Sequence, residues 1–126
     1  MRLRQKFYWS FVRAEFLLAL DRPAPSLNPL LNGIDQANAL ASQLSYHIFK
    51  EITPYRSAAV FSEMNTMLNY DPRGFDFIKL SGRTIAALMV SDKLDSLLIN
   101  PRGQIGGELY RNELDSIDEA MRRFDR

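Results

Sequence analysis

A base for nucleophilic or proton-transfer chemistry would have to be His47, the one histidine in 126 residues, and no cysteine is present to act as thiol nucleophile, disulfide partner or thiolate ligand. His47 lies in the run Tyr46-His47-Ile48-Phe49, which reads as the middle of a strand. The chain also lacks the G-x-S-x-G step that lifts a serine onto a strand-to-helix turn. A structural or surface histidine is the expectation. A metal site would have to be built from carboxylates, yet the acidic residues stand singly and no D-x-D-x-D-G loop occurs. The group Glu113, Asp115, Asp118 and Glu119 is explained by a helix: the first two fall in its first turn, where the dipole favours acids, and the other two pair with Arg122 and Arg123 at i, i+4. No catalytic residue, metal ligand or cofactor is assigned on these grounds.

Two surface patterns remain. The segment Asn100-Pro101-Arg102-Gly103-Gln104-Ile105-Gly106-Gly107-Glu108 follows a strand and precedes a helix, the position of phosphate-cradling loops. It has neither the G-K-[ST] of a P-loop nor G-x-G-x-x-G spacing, so the match is one of position. The plain reading is a turn whose glycines supply positive φ. The ligand reading makes Asn100, Arg102, Gly103, Gly106, Gly107 and Glu108 a small-molecule or nucleotide loop at the carboxyl end of a sheet, where α/β folds place ligand sites. The second pattern is at the amino terminus, where Arg2, Lys6, Trp9 and Arg13 at i, i+4, i+7 and i+11 share one helix face opposite Phe7 and Phe11. Arginine and tryptophan on one patch are what interface hot spots are made of. Three positive charges on a near-neutral protein would bind phosphates weakly and with strong salt dependence, which argues against nucleic acid.

The elements that must carry these residues follow from periodicity. Leu3, Phe7 and Phe11 set a first helix, and Glu15 to Leu20 is a short apolar run ended by Asp21-Arg22-Pro23-Ala24-Pro25-Ser26, a strand. Residues 21–44 read as an irregular or extended connection, with one helix over 35–50 as the competing reading. Ser45 to Ile52 and Ser57 to Phe61 have the form of two strands joined by Thr53-Pro54-Tyr55-Arg56. Ser62 is placed to cap a helix holding Met64, Met67 and Leu68, and Ser81 one holding Ile85, Leu88 and Met89. Phe75 to Leu80 and Leu94 to Asn100 are strands, and from Asn112 a last helix carries Leu114, Ile117, Met121 and Phe124 on its apolar stripe. The order α-β-β-β-α-β-α-β-α predicts a single domain over 1–126 of the α/β (α+β) class, with one mixed sheet of about five strands and helices packed on it.

Composition agrees with one self-sufficient core: 46% hydrophobic and 25% charged residues, with sixteen Lys/Arg against fifteen Asp/Glu. The balance is local too. Seven basic and five acidic residues fall in 1–63 and nine and ten in 64–126, so no acidic or basic tail exists. The apolar run Phe16-Leu17-Leu18-Ala19-Leu20 is far short of the ~20 residues of a membrane span. Arg13 and Glu15 break the amino-terminal apolar stretch before it could serve as a signal h-region. A soluble, cytoplasmic protein without membrane contact is expected.

Laid end to end, several of these steps resemble the amino-terminal domain of the SseB family, the enhanced serine sensitivity proteins of bacteria. They are Phe7-Tyr8 ahead of the first strand, Ala58-Ala59-Val60-Phe61-Ser62-Glu63 stepping from strand to helix, Leu98-Ile99-Asn100-Pro101-Arg102-Gly103, and Gly106-Gly107-Glu108-Leu109. The similarity covers most of residues 5–118. Serine stands where the family has a threonine-serine step after Phe61, Arg102 intervenes between Pro101 and Gly103, and Thr53 to Ser57 lacks an Asp-Gly turn. The resemblance implies a mixed-sheet α/β domain in a stand-alone version, without assigned activity and without catalytic or cofactor residues to carry over. Together with the scarcity of catalytic groups it leads to the expectation of a non-enzymatic interaction or accessory module. It would neutralise or chaperone an unidentified protein partner through the Trp9 face or an uncovered strand edge, an edge that could also pair with its own copy.

Overall fold

The computed structural model describes the backbone of residues 2–124 and the side chains of residues 5–124. Ten elements follow along the chain: α1 (Arg2–Arg13), β1 (Glu15–Leu20), α2 (Gly33–Leu40), β2 (Ser57–Phe61), α3 (Met64–Tyr70), β3 (Asp76–Ser81), α4 (Gly82–Ser91), β4 (Ser96–Ile99), β5 (Gly107–Tyr110) and α5 (Arg111–Phe124). The strands form one mixed sheet in the order β3-β1-β2-β4-β5. Only β2 and β4 run parallel; β1 pairs antiparallel with both β3 and β2, and β5 antiparallel with β4. This is an α+β fold.

The continuous apolar run of β1 is explained by its place inside the sheet, since a strand covered on both faces has no polar side to show. Phe16, Leu18 and Leu20 join Val60, Leu97 and Leu109 under the helices, whereas Leu17 and Ala19 join Phe61 and Leu98 on the opposite face. On the helical side the middle of α4 is apolar all round, and Ile85 to Met89 are buried because α1, α2 and α5 pack against it. Its start is defined by chemistry: the Ser81 hydroxyl accepts a hydrogen bond from the Thr84 amide at 3.2 Å, the cap expected from the sequence.

The opposite face is covered by α3 and by residues 45–56, and here the structure corrects the sequence reading. Ser45 to Ile52 is not a strand. It contributes one isolated bridge, Leu20 to Tyr46, and is held by scattered backbone bonds between Ser45 and Asp21, His47 and Ala19, and Phe49 and Ser57, together with its side chains, rather than by a ladder. Tyr46 is buried among the helix-side residues and Phe49 on the other side of the sheet, so these apolar residues anchor a loop. The Asp92 carboxylate accepts from the Ser42 amide at 2.9 Å and from the Tyr46 hydroxyl at 2.6 Å, while Arg56 donates to the Asp92 carbonyl at 2.9 Å. Burial, then the hydrogen bond to Asp92, holds the Tyr46 hydroxyl well above its ordinary pKa.

Three further elements differ from expectation. The 21–44 connection contains α2, which opens at positive φ on Gly33 and seats Ala37 and Leu40 against the core; it ends ten residues short of the competing 35–50 helix. Glu63, not Ser62, is the N-cap of α3 and makes no side-chain cap bond; the Ser62 amide instead donates to the Asn100 side-chain oxygen at 2.9 Å, tying this step to the loop after β4. The fifth strand is β5, inside what the sequence presents as a glycine-rich turn. Among the described residues no helix is long and apolar enough to cross a membrane.

Candidate functional site

Helix α1 reaches across to α5 at two points. The Tyr8 hydroxyl donates to the Glu113 carboxylate in the first turn of α5, and the Trp9 ring meets Phe124 in its last turn, edge to face, with centroids 5.3 Å apart. Both helices rest on α4, and between their outer sides runs a groove of about 350 Å³ walled by Tyr8, Trp9, Val12, Ile117, Ala120 and Met121. Its rim is aromatic and exposed: Trp9 is 42% and Phe124 67% accessible. The Arg13 guanidinium lies 5.4 Å from the centre of the Trp9 ring, within cation-π reach, and Lys6 is exposed on the same helix. Of the four face residues expected from the sequence, Trp9 lines the groove, Lys6 and Arg13 lie on the same helix outside its walls, and Arg2 has its side chain outside the described residues. Phe124 is the residue that the sequence reading misplaces. Its i, i+3, i+4 spacing puts it on the stripe with Leu114, Ile117 and Met121, but α5 outruns the core by its last turn and leaves the ring in solvent.

The loop after β4 is positioned at the carboxyl ends of the parallel pair. Asn100 organises it: its amide donates to the Val60 carbonyl at 2.9 Å, its side-chain oxygen accepts from Ser62, and its side-chain nitrogen donates to the Ile105 carbonyl at 3.1 Å. Asn100 and Arg102 both take positive φ, +47° and +60°, a region that costs a non-glycine residue about 1 kcal/mol. Gly103 and Gly106 have no positive φ; they are needed for close approach, since an added Cβ would meet the Asn100 carbonyl oxygen at 2.9 Å and 2.8 Å respectively. The expectation that the loop glycines supply positive φ is therefore corrected.

Arg102 does not point to an anion cradle. Its guanidinium stacks 5.1 Å from the centre of the Tyr70 ring, whose hydroxyl donates to Glu51 at 2.6 Å. Cavities of about 420 Å³ and 610 Å³ lie on either side of it, and their walls include Glu63 in one and Glu51 and Glu108 in the other. Three carboxylates around one guanidinium that already has a partner are a poor setting for a phosphate. Burial pushes the Tyr70 hydroxyl up to about 12 from 10.0, helped by the Glu51 hydrogen bond and charge. For Glu51 burial alone would raise the pKa, but the bond from Tyr70, its own backbone, and the charges of His47 and Arg102 outweigh it and hold the carboxyl below its ordinary value.

This pair gives a pH prediction. Because folding favours neutral Tyr70, its contribution to stability is complete below pH 10 and is lost as the pH rises through about 12. The tyrosinate absorbance difference between wild type and Tyr70→Phe is expected to be centred near 12 and to return toward 10 in Glu51→Gln; a wild-type difference centred near 10 would contradict the contact.

His47 is packed into the aromatic cover and paired with a carboxylate. Its Nδ1 is 2.8 Å from Asp21 Oδ1, and its ring is packed between Phe49 and Phe75 at 4.7 Å and 4.8 Å. Among the described residues no group of three or more His, Asp or Glu is arranged to hold a metal ion. No protein-family model, curated protein or solved structure matches this chain.

Proposed function

We propose that the protein is a non-enzymatic interaction module whose α1–α5 groove docks an amphipathic, acidic helix from a partner protein. The observation that carries this reading is the exposed Trp9 and Phe124 pair at the mouth of an apolar groove between two helices. Such a trough takes a third helix by its apolar face. The charge of the partner is argued from the flank beside Trp9: Lys6 and Arg13 lie on α1 outside the groove walls, Arg13 over the Trp9 ring, while Arg122 and Arg123 on α5 are already paired with Asp118 and Glu119. The α1 flank next to the groove therefore carries positive charge. The SseB resemblance belongs to this proposal, as does a soluble, cytoplasmic setting; neither brings a known activity with it.

Trp9 is the only tryptophan, so the site reports on itself. A synthetic helix with leucine at a and d positions and glutamate elsewhere is expected to shift the Trp9 emission to the blue and to saturate; a scrambled sequence of the same composition should not. Trp9→Ala should weaken calorimetric binding of that helix by about 2 kcal/mol, roughly thirtyfold, as hot-spot truncations do. Thermal stability should hardly change, since the ring and its partner are both exposed. Unchanged affinity in Trp9→Ala would sink the assignment.

A further inference from the structure

The sheet has two outer edges, and they are built differently. At one, β3 shows the exposed charges Asp76 and Lys79, with Lys79 3.9 Å from Glu15, the pattern by which sheets protect an edge from pairing. At the other, β5 carries a single charged residue, Glu108, and that carboxylate is half-buried and accepts from the Ser96 hydroxyl at 2.6 Å. The outer side of β5 is uncovered at Gly107, which is exposed, while at its far end the Tyr110 amide donates to the Glu113 carboxylate at 3.4 Å. No described strand pairs there.

Two cavities lie along this strand. Glu108 pairs with Leu98 and Tyr110 with Ser96, so both side chains project to the face opposite the helices. Beside Glu108 is the 610 Å³ cavity walled by Glu51, Ile52 and Leu98; at the strand's end, beside Tyr110, is one of about 490 Å³ between Tyr55 and Asp95 and the start of α5, which contributes Arg111, Asn112 and Asp115. Residues i and i+2 of a strand are about 7 Å apart on one face, so the cavities match the alternate side chains of an added strand. Tyr55 and Tyr110 stand 55% and 49% exposed, apolar walls without cover.

Charge selects the occupant. The two cavities are lined by four carboxylates, Glu51, Glu108, Asp95 and Asp115, against the guanidiniums of Arg102 and Arg111. Arg102 stacks on Tyr70, and Arg111 is turned to the Leu94 carbonyl at 2.7 Å. We propose that the outer edge of β5 accepts an extended, basic segment of a partner chain as a sixth strand, with side chains two residues apart entering the cavities beside Glu108 and Tyr110. Main-chain hydrogen bonds supply affinity in this mode and the pockets supply selectivity. The surface is separate from the Trp9 groove and does not depend on it.

The test is a titration of the isotopically labelled chain with a ten-residue peptide alternating lysine and valine, with its glutamate-valine counterpart, and with the lysine peptide N-methylated at every second amide. The lysine peptide should saturably shift the amide resonances of residues 107–110 and slow their exchange. Both the glutamate and the N-methylated peptides should bind at least tenfold more weakly, and Asp115→Lys combined with Tyr110→Ser should weaken the lysine peptide by a similar factor. Four results would overturn the proposal. They are no binding, equal binding of the N-methylated peptide (charge adsorption without strand pairing), shifts confined to the α1–α5 groove, and self-association through β5 in the absence of peptide, which would make a second copy the occupant.

Discussion

Replacing Gly82 with alanine is expected to destabilise the protein by more than about 3 kcal/mol, even though alanine is the better helix former by about 1 kcal/mol. Gly82 is the first residue of α4 and is buried where α1 ends. A Cβ there would lie 2.0 Å from the Phe11 carbonyl oxygen and 2.7 Å from its carbon. These are backbone atoms, so no side-chain rotation relieves the overlap. The Phe11 carbonyl also accepts from the Ala14 amide at 3.3 Å, and the Gly82 amide donates to the Ala14 carbonyl at 2.9 Å, which ties the two helix ends together. Moving α1 away would break that bond and displace the Phe11 ring from Phe16, 5.2 Å away. Denaturant unfolding should show the loss, and the melting temperature should fall by roughly 12 °C at about 4 °C per kcal/mol. Gly107→Ala is the control, because the same atom meets nothing there and the change should stay within about 0.5 kcal/mol. A neutral Gly82→Ala would mean that α1 crosses α4 elsewhere, and the groove that α1 forms with α5 would then have to be redrawn.

What the sequence makes legible is what local forces decide. The apolar run of β1 is bounded by a charge and a proline-rich turn, and Glu15 to Leu20 is the strand found. The Ser81 cap and the apolar ring of α4 are likewise written in adjacent residues. The two errors in strand assignment share a different cause. Tyr46, Ile48 and Phe49 have strong strand preferences, yet a loop spends them as anchors, with Tyr46 tied to Asp92 forty-six residues away and Phe49 packed on Tyr70 and Phe75. Conversely, Gly107 and Glu108 have weak strand preferences, but β4 offers a ladder four residues long and pairing overrides propensity. Because one false strand and one missed strand cancel, the expected count of five was right with the wrong membership.

The candidate surfaces divide in the same way. Lys6, Trp9 and Arg13 share a face by helical spacing alone, and that much is readable from the chain. The groove is not, because it needs α5 to lie beside α1 at a distance set by α4. The open edge of β5 is equally invisible, since an edge exists only once the order β3-β1-β2-β4-β5 is known.

Phe49→Ala should produce the second large effect, a loss of about 3–5 kcal/mol, as for other completely buried phenylalanines. Its ring lies 4.7–5.6 Å from those of His47, Tyr70 and Phe75, at the centre of the aromatic cover over that face of the sheet. The Phe49 amide donates to the Ser57 carbonyl at 3.0 Å, and its own carbonyl accepts from the Ile52 and Thr53 amides, so the loop's turn is built around this residue. The core beneath the helices does not include Phe49. Opening is therefore expected to be local. Amide exchange should accelerate over residues 47–53 while β1, β2 and β4 stay protected, because Ser42 and Tyr46 remain fixed by Asp92. As Glu51 leaves Tyr70, the tyrosine should titrate closer to 10, an optical signature that a simple loss of packing elsewhere would not give. Phe49→Leu, which fills most of the void, should cost roughly 1–2 kcal/mol and keep the high Tyr70 titration. If exchange instead rises uniformly through the sheet, the two faces unfold as one unit, and the loop is part of the cooperative core rather than a separately anchored cover.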